Sequence, residues 1–218
     1  MTEQTKTNIH FQKKKMNENT TNNTIGIVNY GAGNIFSLTA ALDRQGIIYG
    51  MVNTEADLEK HSHIIIPGVG HAGAAMQKLQ QTGLVKAIKE LTKPVLGICV
   101  GMQLLTTHSE EGNAALLDIA PLKTKLFDKA LGIKIPHMGW NNVNFTNNPL
   151  FNDVKPSAQF YFVHSYFIEY NPIFDIASVT YGNRFSAAIQ KDNFYGVQFH
   201  PEKSGEAGEQ LLKNFSMI

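Results

Sequence analysis

The chain has one cysteine, Cys99, in 218 residues. A single thiol excludes an internal disulfide framework and fits a reducing, cytoplasmic setting. An excess of charge of one sign is also missing. The 19 Lys and Arg and 18 Asp and Glu leave a formal net charge of +1, so there is no electrostatic case for nucleic acid or a membrane surface. No apolar run approaches the roughly 20 residues that cross a bilayer. No apolar stretch near the start resembles a secretory signal. Internal repeats and an inner linker are absent too. What is present is a globular composition, 43% hydrophobic and 17% charged. Residues 24–218 suit one α/β domain with a substantial core.

Residues 1–23 differ from that body. They are rich in Thr, Asn, Gln and Lys, with a Lys13-Lys14-Lys15 run and few apolar side chains. This composition predicts a disordered polar tail over 1–23 rather than a nucleic-acid or membrane arm. Met16 is a candidate initiator, because the core begins near Thr24.

Along the body, strands are expected near 25–30, 47–52, 63–66 and 94–98, and helices over 35–45, 72–91 (broken at Gly83) and 102–108. From 122 to 199 strands dominate: 122–127, 140–145, 159–169, 176–180, 186–190 and 194–199. A helix over about 205–215 follows, with Leu211, Leu212 and Phe215 on one face. Parallel strands early and antiparallel pairs late indicate an α/β fold: a mixed, mostly parallel central sheet with helices on both faces.

The surroundings of Cys99 suit a nucleophile. The apolar run Pro94 to Ile98 reads as a buried strand, and Met102-Gln103-Leu104-Leu105 as a helix start. A cysteine between Gly97 and Gly101 then occupies a strand-to-helix corner, the thiol version of the nucleophile elbow. Glycines flank it because the turn is too tight for side chains. A helix N-terminus favours thiolate over thiol, and the Val100 N–H would point at a developing oxyanion.

Such a thiol needs a base, and the base an orienter. His200-Pro201-Glu202 supplies both at the end of the 194–199 strand. In extended chain His200 and Glu202 project to the same side, so Glu202 can accept the imidazole N–H. A second oxyanion donor is expected from Pro67-Gly68-Val69-Gly70, which follows the buried run Ile64-Ile65-Ile66. Another glycine pair, Gly31-Ala32-Gly33, follows the first strand. It is not a dinucleotide fingerprint, because Phe36 stands where the third glycine belongs.

Taken in order over residues 24–218, the Pro67–Gly70, Gly97–Gln103 and Gln198–Gly205 segments resemble the class I (triad-type) glutamine amidotransferases. The resemblance implies a flavodoxin-like fold and a Cys99, His200, Glu202 triad. It implies an oxyanion hole from the N–H groups of Val69, Gly70 and Val100, with Gln103 helping to hold glutamine. The Asn29–Asn34 and Pro136–Asn141 segments, Ser109-Glu110-Glu111, Val163–Tyr166 and Lys203 are similar to the glutaminase subunits of imidazole glycerol phosphate synthases. Asn29 departs from that pattern, where Asp is as readily expected.

That resemblance implies that Glu111 meets the substrate amino group and that the His164, Ser165, Tyr166 backbone flanks the substrate. Asn34, Trp140 and Lys203 would face a cyclase subunit, forming a heterodimer for histidine biosynthesis. The chemistry calls for no metal or organic cofactor. Two other readings stay open: a paralogous glutaminase feeding another synthase, such as a sugar-amidating enzyme, and a catalytically silent regulatory subunit.

Overall fold

The computed structural model describes residues 23–218. The expected tail lies outside the described residues except for Asn23, whose side-chain amide donates to the Ser216 carbonyl at 2.8 Å.

The first half alternates strand and helix. Its elements are β1 (Thr24–Val28), α1 (Ile35–Arg44), β2 (Ile48–Val52), α2 (Glu55–Glu59), β3 (His63–Gly68), α3 (Ala72–Gln81), α4 (Val85–Lys89), β4 (Val95–Cys99) and α5 (Val100–Leu104). The second half is mostly strands: β5 (His108–Ser109), β6 (Ala114–Ala115), β7 (Lys123–Leu126), β8 (His137–Asn142), β9 (Asn144–Phe145), β10 (Gln159–His164), β11 (Tyr166–Glu169), β12 (Asp175–Tyr181), β13 (Asn183–Lys191) and β14 (Phe194–Val197). The helix α6 (Gly205–Phe215) follows.

The main sheet runs β2-β1-β3-β4-β14 in parallel, then continues through β13, β11 and β7. Residues of β3 and β4 are all buried, which explains their unbroken apolar runs. Chain order reverses between β2-β1 and β1-β3. Right-handed crossovers therefore put α1 and α3 on opposite faces. α6 joins α1, where Arg44 pairs with Glu209. Among the described residues no helix is long and apolar enough to cross a membrane.

Three local differences from expectation have physical reasons. The segment 159–169 is two strands, not one. β10 pairs with β8 in a separate two-stranded sheet, and after Ser165 the chain enters the main sheet as β11. Both pieces have β-type composition, so the sequence pattern runs through the change of sheet. The helix expected at 102–108 instead begins directly after the cysteine and ends at Leu104. α2 was not expected, although Thr54 and Asp57 form a capping box at its start.

Candidate active site

Register brings the candidate segments together at the carboxyl ends of the parallel strands. Gly68 stands opposite Cys99 between β3 and β4, and Val197 opposite Ile98 between β4 and β14. Ligands of doubly wound sheets bind at such ends.

Cys99 has the backbone of an elbow. Its φ of 55° and ψ of −109° are unusual for a residue with a side chain. A Cβ at Gly101 would lie 1.9 Å from the Ile66 carbonyl oxygen, and one at Gly97 would lie 2.4 Å from that of Gly101. Both positions therefore exclude any other residue, and the corner keeps its shape.

His200 and Glu202 are buried and bonded, Nδ1 to Oε1, at 2.8 Å. They do not meet as alternate residues of a strand. β14 ends at Val197, and Pro201–Lys203 form a 3-10 turn that swings Glu202 back onto the ring. Proline suits the start of that turn. Burial alone would lower the pKa of His200. Interactions with the Cys99 sulfur and with Glu202 outweigh burial and push it up to about 10. The site therefore favours an imidazolium at neutral pH. Nε2 of His200 has no hydrogen-bond partner among the described residues.

A cavity of about 410 Å³ opens over Cys99. Val69, Gly70 and Val100 line one side, and Val163, His164, Ser165 and Tyr166 another. Gln103, Glu111, His200 and Lys203 also reach it. Glu202 stands behind His200, sharing a small pocket with Asn34, Pro67 and Gly68. Asn34 also caps α1, its side chain accepting from the Ser37 N–H at 3.2 Å. Trp140 lies on β8 with half its surface exposed, and its ring stands 6.0 Å from that of Tyr161. Lys203 reaches the same tyrosine, with Nζ 5.8 Å from the Tyr161 centroid.

The Pro67–Gly70 loop is tied at both ends. Tyr30 donates its hydroxyl to the Pro67 carbonyl at 2.5 Å. Past the loop, Glu111 accepts from the Ala72 N–H at 2.6 Å, where α3 begins. Gln103 donates through Nε2 to the Tyr166 carbonyl at 3.2 Å and to Oε1 of Gln198 at 3.1 Å. Gln198 in turn lies 3.7 Å from the sulfur of Cys99.

His164 of the His164–Tyr166 wall is paired with His137, which the sequence analysis did not single out. The Tyr166 carbonyl can only accept, so Nδ1 of His164, 2.8 Å away, carries a proton. Nε2 of His164 then accepts from Nδ1 of His137 at 3.0 Å. Burial lowers His164 to about 3 and His137 to about 4. At these two residues the folded state binds fewer protons than the unfolded chain below pH of about 6.5, so their contribution to stability falls as pH drops toward those values. For His164 alone the loss is about 2 kcal/mol by pH 5. Between pH of about 6.5 and 5 urea midpoints should therefore decline more in wild type than in His164→Gln. An identical decline in that variant would contradict the neutral pair.

The glutamine amidotransferase class-I family matches residues 27–218. The chain belongs to the class I glutamine amidotransferases. Curated relatives agree. The imidazole glycerol phosphate synthase subunit HisH of Pasteurella multocida is 48% identical over 88% of this chain and 96% of its own length. The protein of the same name from Haemophilus influenzae is 49% identical, again covering 88% and 96%. A solved glutamine amidotransferase covers 89% of this chain and 99% of its own, with a TM-score of 0.70 at 16% identity. PurLQS from Thermotoga maritima covers 88% and 97%, with a TM-score of 0.66 at 20% identity. These two likenesses bear on the amidotransferase fold alone.

Proposed function

We propose that this amidotransferase is the glutaminase subunit of an imidazole glycerol phosphate synthase. It hydrolyses glutamine to glutamate and ammonia and hands the ammonia to a separate cyclase subunit. That partner would convert a phosphoribulosyl-formimino carboxamide ribotide to imidazole glycerol phosphate and aminoimidazole carboxamide ribotide. The observation that carries the chemistry is the convergence of the Cys99 elbow, the His200–Glu202 pair and the oxyanion loop on one cavity. The relatives near 48% identity carry the choice of synthase.

The sulfur of Cys99 attacks the side-chain carbonyl carbon of glutamine. N–H groups of Val100 and of the Val69–Gly70 segment stabilise the oxyanion. As the C–N bond breaks, His200 gives its Nε2 proton to the departing ammonia, which leaves a γ-glutamyl thioester on Cys99. The ring, now neutral, takes a proton from water as that water attacks the thioester. Glutamate leaves and the thiolate returns. Glu202 holds the ring and offsets its charge. Glu111, Gln103 and the His164–Tyr166 backbone position the substrate.

His200→Ala removes both proton transfers. Its glutamine-dependent rate, read below its melting transition, should fall roughly 10²–10⁴-fold. A rate within a few-fold of wild type would remove His200 from the mechanism. The choice of partner is tested by reconstitution with the histidine-pathway cyclase. A one-to-one complex that makes imidazole glycerol phosphate from glutamine is expected. A chain that instead assembles with a sugar-amidating synthase would contradict the proposal.

A further inference from the structure

Gln198 is fully buried and has no part in the steps above. Burying a carboxamide is costly unless its polar atoms are matched. The main chain here does not need the side chain, because the Gln198 N–H is already bonded to the Ala187 carbonyl at 2.8 Å. The side-chain amide meets two partners, both in the candidate site: Gln103 and the sulfur of Cys99.

The orientation of the amide follows from one fixed acceptor. The Tyr166 carbonyl accepts only, so Gln103 must turn Nε2 toward it. That same nitrogen meets Gln198, which must then present Oε1 at 3.1 Å. Nε2 of Gln198 is left facing the sulfur at 3.7 Å. A chain of donors and acceptors thus ends in an N–H aimed at the nucleophile.

We infer that Gln198 is a further catalytic residue: its amide N–H holds the Cys99 sulfur as a thiolate and fixes its position for attack. The inference rests on Cys99 being the nucleophile. A thiol is a weak acceptor and a thiolate a strong one, so the bond favours the charged form. The bond weakens when the sulfur becomes a thioester. It re-forms as thiolate departs in the second half-reaction, so it stabilises the leaving group there.

The test uses the full chain and exploits its single cysteine. Iodoacetamide alkylation of Cys99 is followed from pH 5 to 9.5 in wild type, Gln198→Leu and Gln198→Met. Loss of one hydrogen bond to a charged group should slow alkylation at neutral pH by roughly ten- to a hundredfold and displace the profile to higher pH. In the same variants kcat for glutamine should fall while KM holds. A purely structural role would lower the melting temperature and leave the profile in place. Gln198→Glu keeps the shape but puts a carboxylate against the sulfur, so it should slow alkylation further. It is read below its own transition if the apolar variants melt early. An unmoved profile in folded variants overturns the inference. A moved profile with unchanged kcat overturns the catalytic role and points at the glutaminase assignment of Cys99 instead.

Discussion

Replacing Cys99 with alanine is expected to abolish glutamine-dependent synthesis and to spare the ammonia-dependent reaction. No other side chain in the cavity can form the thioester, so the lost rate is the whole of covalent catalysis rather than a fraction of it. The substitution deletes one sulfur from a corner shaped by backbone contacts at Gly97 and Gly101. The fold and partner binding should therefore survive. In the complex, free ammonium supplied at raised pH should still drive the cyclase at its normal rate. Loss of both activities would mean that the variant has damaged the partner or the assembly. Retention of substantial glutamine-dependent activity would remove Cys99 from the chemistry.

A second large effect is expected on assembly. Glutamine hydrolysis by the chain alone should be slow, and should rise by roughly 10²–10³ when the cyclase binds and holds its ribotide. That is the size of one missing oxyanion donor. The loop supplies a physical route. Tyr30 holds it at Pro67 and Glu111 holds the helix that follows it, so movement is confined to the residues between. Within that span Gly70 has a φ of +85°. Glycine permits peptide orientations closed to other residues, so an N–H there could turn toward or away from the oxyanion. Trp140 and Lys203, both beside the Tyr161 ring, are the candidates to report the partner's arrival. In Trp140→Ala or Lys203→Ala the rise should shrink while Cys99 still reacts with a small electrophile. Equal rates for the chain alone, with cyclase, and with cyclase plus ribotide would refute the coupling. A full rise in both variants would refute the interface assignment alone.

The elbow was legible in the sequence because its demands are steric and local. Gly97 and Gly101 are required by contacts under 3 Å, and such demands leave fixed letters at fixed spacing. The parallel strands were legible for a related reason, since burial on both faces leaves continuous apolar runs such as Ile64–Ile66 and Val95–Ile98. His200 and Glu202 were found by the right letters and a wrong geometry. Their proximity comes from a turn that begins at Pro201, not from strand alternation. The break at Ser165 left no mark, because both flanking pieces are strands and only their partners differ. The roles of His137 and Gln198 were illegible for another reason. Each is a single polar residue in or beside a strand, and its meaning lies in a partner far away in sequence. The capping box at Thr54 was readable, and marks the start of α2.

If glutamine is bound over Cys99 and reacts there, a glutamine-analogue electrophile should be captured at that sulfur. Peptide mass mapping of the full chain in complex with its cyclase should find one adduct per chain, on the peptide that contains Cys99, with labelling suppressed by excess glutamine and absent in Cys99→Ala. Labelling at another residue, or labelling of Cys99 that glutamine does not slow, would contradict it.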